Sequence, residues 1–187
     1  MDNVKIFFHI WSEVNCDEVI QDIYSYIPEE LKFVVIECRN TREIHTYDRM
    51  YEICKQEDFK CGYLHTNGAY NRNECIDELR RYMCHFNLKL YKNCLSALDT
   101  YDCCGVDYRT EPQPHFSGNF WWANSTYLRT LCEPALTRTT LTERHKCEFW
   151  CCSSPHKQLS FFDSGVNVYE RHLYKYPKEN YLGKIDE

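Results

Sequence analysis

No C-x-x-C pair occurs among the thirteen cysteines of this chain, so the ligand spacing of common structural zinc sites and dithiol redox motifs is missing. There is no G-x-G-x-x-G, no G-x-x-x-x-G-K-[ST] and no G-x-S-x-G, which argues against a classical dinucleotide cradle, a P-loop and a hydrolase nucleophile elbow. The absence of H-x-E removes the zinc deaminases. Lysine and arginine are scattered and the net charge is −6, so the chain carries no basic footprint for a nucleic acid. Long apolar runs are missing as well. The run from Ile6 to Trp11 is too brief for a signal peptide or a membrane span, and the expectation is a cytoplasmic protein in which the Asn124-Ser125-Thr126 sequon stays silent. Glycine is scarce, with six in the chain, which makes a glycine inside an aromatic run conspicuous.

What is present is a length of 187 residues, enough for one well-buried α/β domain, and an aromatic content raised by fifteen tyrosines and ten phenylalanines. The odd number of cysteines, and their position within expected strands and helices, favours reduced thiols. In the adjacent pairs Cys103-Cys104 and Cys151-Cys152 the side chains are expected to diverge. The nearest approach to a zinc pattern is His145-x-Cys147 with Cys151 and Cys152.

Taken in order, residues 4–11 form a nearly continuous apolar run, the pattern of a strand covered on both faces. A helix capped by Ser12 follows and ends at Pro28; residues 31–37 repeat the buried-strand pattern, and Asn40 or Thr41 is placed to cap a helix with the stripe Ile44, Tyr47, Tyr51 and Cys54. Residues 59–65 read as a third strand, residues 73–98 as one long helix, and residues 102–107 as a short fourth strand. Strand–helix units in this order imply right-handed crossovers and a mostly parallel sheet with helices on its faces. Residues 127–131 suggest a short helix, 137–144 a loop or lid, and 166–169 a further strand.

Ligands of such sheets bind outside the carboxyl ends of the strands, which here carry Trp11, His65, Thr66, Asn67 and Asp107. After a proline-punctuated loop comes His115-Phe116-Ser117-Gly118-Asn119-Phe120-Trp121-Trp122, where the Gly-Asn pair suggests close approach of the backbone to a ligand. The same aromatics can instead fill a core, and Trp121 and Trp122, adjacent in a strand, should face opposite ways. Asp99 and Asp102 suit turns between helix and strand. Glu148, beside Phe149 and Trp150, has the surroundings of a general base, or pairs with Arg144 on a helix. His115 reads equally as a donor to phosphate or hydroxyl and as a satisfied core histidine.

The ordered segments Tyr63-Leu64-His65-Thr66-Asn67-Gly68, Asp102-x-x-Gly105-Val106-Asp107, the HFSGNFWW stretch at 115–122, and Arg144 with Glu148-Phe149-Trp150 resemble a group of small glycosyltransferase-like proteins of bacterial polysaccharide clusters and large DNA viruses. The resemblance covers residues 63–150. It implies a GT-A-like fold in a single domain over residues 1–187, with a nucleotide-binding half at 1–109, an acceptor half at 110–175 and a tail at 176–187. It further implies transfer of a sugar from a nucleotide-sugar to a glycan or glycoprotein acceptor. On this reading Trp11, His65, Thr66, Asn67, Asp107, Gly118 and Asn119 bind the donor, Trp121 and Trp122 border the acceptor, and Glu148 and His115 are catalytic. Charge on the departing diphosphate is balanced by a divalent cation such as Mn²⁺ or Mg²⁺ on Asp107, or by cationic side chains. The chain departs from the pattern in two places: Asn67 stands where the family carries lysine, and there is no D-x-D. A non-catalytic nucleotide-sugar or glycan-binding module, or one domain of a larger glycosylation assembly, is the alternative expectation.

Overall fold

The computed structural model describes residues 3–11, 17, 31–38, 43–66, 73–134, 147–166, 170, 173 and 175–183. The expected helix over 12–27, the caps Asn40 and Thr41, the donor residue Asn67, the loop at 137–144 with Arg144, His145, and most of the expected strand at 166–169 lie outside these residues.

The apolar runs form strands where the sequence places them: β1 at Val4–Trp11, β2 at Lys32–Cys38 and β3 at Lys60–His65, with β1 pairing in parallel with both others. Helix α1, Ile44–Cys54, packs Tyr47, Met50 and Cys54 inward at helical spacing. Glu43 occupies its N-cap and makes no side-chain cap bond. This leaves the carboxylate for other partners.

The expected long helix is interrupted. Helix α2, Glu74–Cys84, starts on Asn73, whose side chain accepts from the Cys75 amide at 2.9 Å; it then widens into a π turn over His85–Lys89 before α3, Tyr91–Ala97. At the turn the buried Asn87 donates its side-chain amide to the Met83 carbonyl, while its own carbonyl accepts the indole N–H of Trp122, both at 2.9 Å.

Beyond α3 come β4 at Cys103–Gly105, the small hairpin β5–β6 (Tyr108–Arg109 with His115–Phe116), β7 at Trp121–Asn124, helix α4 at Ser125–Leu128, a 3₁₀ turn at Cys147–Cys152, β8 at Gln158–Ser160 and a 3₁₀ turn at Lys178–Asn180. The six-stranded sheet has the order β2-β1-β3-β7-β4-β8. Strand β7 is antiparallel to both neighbours, and the other strands share one direction. The architecture is thus mixed α/β with a mostly parallel sheet flanked by helices. The expected fourth strand, β4, shares the direction of the first three but does not adjoin β3: the HFSGNFWW segment supplies the strand between them.

Period-two alternation divides the core between the faces. Phe7, Tyr63, Cys103 and Trp121 point to the α1 side, whereas Ile6, Leu64, Cys104 and Trp122 point to the side of α2 and α3. Cys103 and Cys104 therefore diverge as expected. Trp122 lies directly over Gly62, where an added Cβ would come within 2.7 Å of the indole, so this position has no room for a side chain. No described helix is long and apolar enough to cross a membrane.

Candidate functional site at the carboxyl ends of β1 and β3

The chain leaves β1 for β2 on one side and later places β3 on the other, so the strand order reverses at β1. Such a reversal opens a crevice at the carboxyl ends of the flanking strands. Four segments meet there: the end of β3 with His65, the N-terminus of α1 with Glu43 and Tyr47, the turn at 117–119, and the start of β7.

The turn is set by backbone conformation. Gly118 and Asn119 both have positive φ, 77° and 59°, a region open to glycine and tolerated by asparagine better than by other residues. This geometry turns the Gly118 carbonyl toward His65 Nε2, at 3.1 Å. It also sends the Asn119 side chain inward, where Nδ2 donates to Glu43 Oε2 at 2.5 Å and to the Tyr47 hydroxyl at 2.7 Å, while Oδ1 accepts the Trp121 indole N–H at 2.9 Å. Tyr47 in turn donates to Glu43 at 3.2 Å and lies 3.2 Å from the Cys147 carbonyl. Burial, reinforced by the Glu43 charge, pushes the Tyr47 phenol well above its ordinary range, so it stays a neutral hydroxyl.

The ionisable contact in this cluster is the pair Glu43–His65. A carbonyl only accepts, so the bond to Gly118 places a proton on His65 Nε2. The remaining contact, His65 Nδ1 to Glu43 Oε1 at 3.3 Å, joins two atoms that both carry lone pairs unless one proton sits between them. The contact is therefore made through one proton, and the two side chains are 13% and 18% exposed, buried enough to be fixed and open enough to reach. Beneath it, His9 is buried with Nδ1 2.9 Å from the Thr46 hydroxyl. Burial lowers its pKa to about 4, so it is neutral at pH 7.

His65, Gly118 and Asn119 are thus brought together, and Thr66 follows directly with its amide donating to the His9 carbonyl at 3.2 Å. Trp11 ends β1 opposite Cys38. The other expected site residues are placed differently. Asp107 is fully buried at φ 51°; its carboxylate accepts from the Ser164 amide (2.5 Å) and hydroxyl (2.9 Å) and faces Arg109 at 3.4 Å. Both oxygens are engaged, so as placed this residue does not fit a divalent cation. Its carbonyl accepts the Ser117 hydroxyl at 2.9 Å, which anchors the Gly118–Asn119 turn. His115 is buried, with Nδ1 2.7 Å from the Gln113 carbonyl and its ring edge-on to Phe149. Glu148 is half-buried in the 3₁₀ turn, one residue from the carbonyl that Tyr47 contacts. Trp121 and Trp122 are both core residues, at 1% and 0% exposure, because each face of the sheet at β7 is covered. Neither ring forms an open acceptor wall.

Sequence reasoning passed over Glu43 and Tyr47. The available signal was an acidic residue opening the helix that follows a parallel strand, a position that faces the carboxyl-end crevice.

Comparison with curated proteins and with solved structures finds no match to this chain. A family model does match, across residues 24–162, a span that includes Glu43, His65 and the Gly118–Asn119 turn, and the chain belongs to that family, described as a domain of unknown function (DUF8361).

Proposed function

We propose that this chain is a GT-A-like glycosyltransferase that binds a nucleotide-sugar across the carboxyl ends of β1 and β3. The observation that carries this reading is the convergence of Glu43, His65 and the Gly118–Asn119 turn at the point where the strand order reverses. Transfer forms a bond from an acceptor hydroxyl to the anomeric carbon, breaks the bond to the diphosphate, and requires a base for the hydroxyl proton. The proton-sharing pair Glu43–His65 suits that role by geometry, and on this reading Glu43 takes the place that the resemblance gives to Glu148. With Asp107 engaged, no step is routed through a cation, and among the described residues His65 is placed beside the crevice to donate to a developing phosphate charge. The acceptor is a glycan or glycoprotein hydroxyl.

The test is release of nucleoside diphosphate by the full chain from UDP-, GDP- and TDP-sugars with an oligosaccharide acceptor. Turnover with one donor that falls by about 10²–10⁴-fold in Glu43→Gln supports the assignment. Binding without turnover moves the reading to a non-catalytic module, which the engaged Asp107 carboxylate would favour. Equal turnover in Glu43→Gln overturns Glu43 as the base.

A further inference from the structure

Away from this crevice, β4, the 3₁₀ turn and the loop after it bring three soft ligands together. The sulfurs of Cys103 and Cys152 and a ring nitrogen of His156 all lie within 4.8 Å of one another. The alternation that sends Cys104 to the opposite face turns Cys103 toward the 3₁₀ turn, and the tight winding of that turn keeps Cys151 and Cys152 on one side instead of letting them diverge. Cys151, buried on the same turn, neighbours Cys152.

We propose that Cys103, Cys152 and His156 form a zinc(II) site whose fourth coordination position opens to an adjoining cavity. Two thiolates and an imidazole are a donor set of the kind zinc takes, and three protein ligands with one open position are the pattern of reactive rather than closed structural sites. The imidazole is already oriented for this role. His156 Nδ1 donates to the Ser154 carbonyl at 2.7 Å, which fixes the tautomer and leaves the Nε2 lone pair as the ligand, the outer-shell arrangement usual for metal-bound histidine. The Tyr108 hydroxyl, at 3.1 Å, donates to that lone pair.

Zinc lies about 2.3 Å from sulfur and 2.0–2.1 Å from nitrogen, so the three atoms need to draw in by roughly 1 Å. Side-chain rotation supplies such a movement. Cys152 and His156 line a cavity of about 520 Å³ together with Gln113, Pro114, Phe149 and Ser154, which gives the ion a path and the fourth position space for water or a small anionic ligand.

Cobalt(II) titration of the reduced, metal-free full chain tests the proposal. The expected result is a thiolate-to-cobalt charge-transfer band with tetrahedral visible bands that saturates at one ion per chain and is displaced by zinc. Cys152→Ser and His156→Ala should each weaken binding by about a hundredfold or more, since even outer-shell losses cost about 10–100-fold. Cys132→Ser, at an exposed cysteine, should leave it unchanged. X-ray absorption at the zinc edge of the wild-type protein needs no variant and should give two sulfurs and one imidazole nitrogen with one further light donor. A spectrum that survives both ligand substitutions, or a first shell without sulfur, overturns the site.

Discussion

The side chain of Asn119 accepts the indole N–H of Trp121 at 2.9 Å, tying a turn residue of positive φ to the strand that follows it. The same amide donates to Glu43 and Tyr47, so a single buried side chain couples the sheet core to the ionisable pair in the crevice.

Asn119→Ala removes these bonds and leaves buried donors and acceptors unpaired. The expected loss is about 2–4 kcal/mol, read as a lowered midpoint in urea without a change of slope. Asn119→Asp keeps an acceptor for Trp121 but sets a second carboxylate against Glu43. Its deficit should therefore shrink as pH falls through the carboxylate range, and a deficit independent of pH would count against the Asn119–Glu43 contact.

Gly62→Ala places a methyl group against the Trp122 ring, where the nearest carbon is 2.7 Å from the added Cβ. Overpacking of this kind costs about 1–3 kcal/mol. Denaturant unfolding measures the cost, and near-UV circular dichroism should show a changed indole environment.

His9 gives a pH dependence of definite sign. Burial is the main cause of its lowered pKa; the Glu43 charge opposes it, and His65 and His45 act with it. The native state refuses a proton that the unfolded chain accepts below the ordinary histidine value of 6.5, so stability declines as pH drops from 6.5 toward the folded value of about 4. The full difference amounts to about 3 kcal/mol, and above pH 6.5 the residue adds no slope. His9→Gln should flatten this limb of the pH–stability curve, while an unchanged limb would assign it to other groups.

His65 is one partner in the central pair, and its substitution separates the contact with Glu43 from the bond to Gly118. His65→Gln retains a side-chain amide that can donate to the Gly118 carbonyl but loses the proton shared with Glu43. Its stability should lie within about 1–2 kcal/mol of the wild type. Turnover, once a donor is found, should fall in this variant, and unaltered turnover would remove His65 from the proton-handling pair.

The parts of the fold that the sequence made legible are those where one physical pattern dominates. Buried parallel strands read as apolar runs, and β1, β2 and β3 lie within a residue or two of expectation. The break between α2 and α3 was not legible, because a π turn preserves the spacing of apolar residues on either side while Asn87 and Trp122 divert the backbone bonds. The insertion of β7 was hidden for a different reason: pairing partners of an antiparallel strand are chosen by tertiary contacts, and local composition carries no direction. The Gly118-Asn119 pair stood out in the sequence as a close backbone approach, and the structure places it in a positive-φ turn. Glu43 escaped notice because its role depends on residues 22 and 76 positions away, His65 and Asn119.

Binding of a nucleotide-sugar at the crevice is the central claim, and a thermal-shift panel of UDP-, GDP- and TDP-sugars on the full chain tests it most directly. One donor should raise the melting temperature, with about 2.7 kcal/mol of stabilisation at a hundred times its Kd, and His65→Ala should remove that shift. No shift with any donor, or a shift that persists undiminished in His65→Ala, would contradict it.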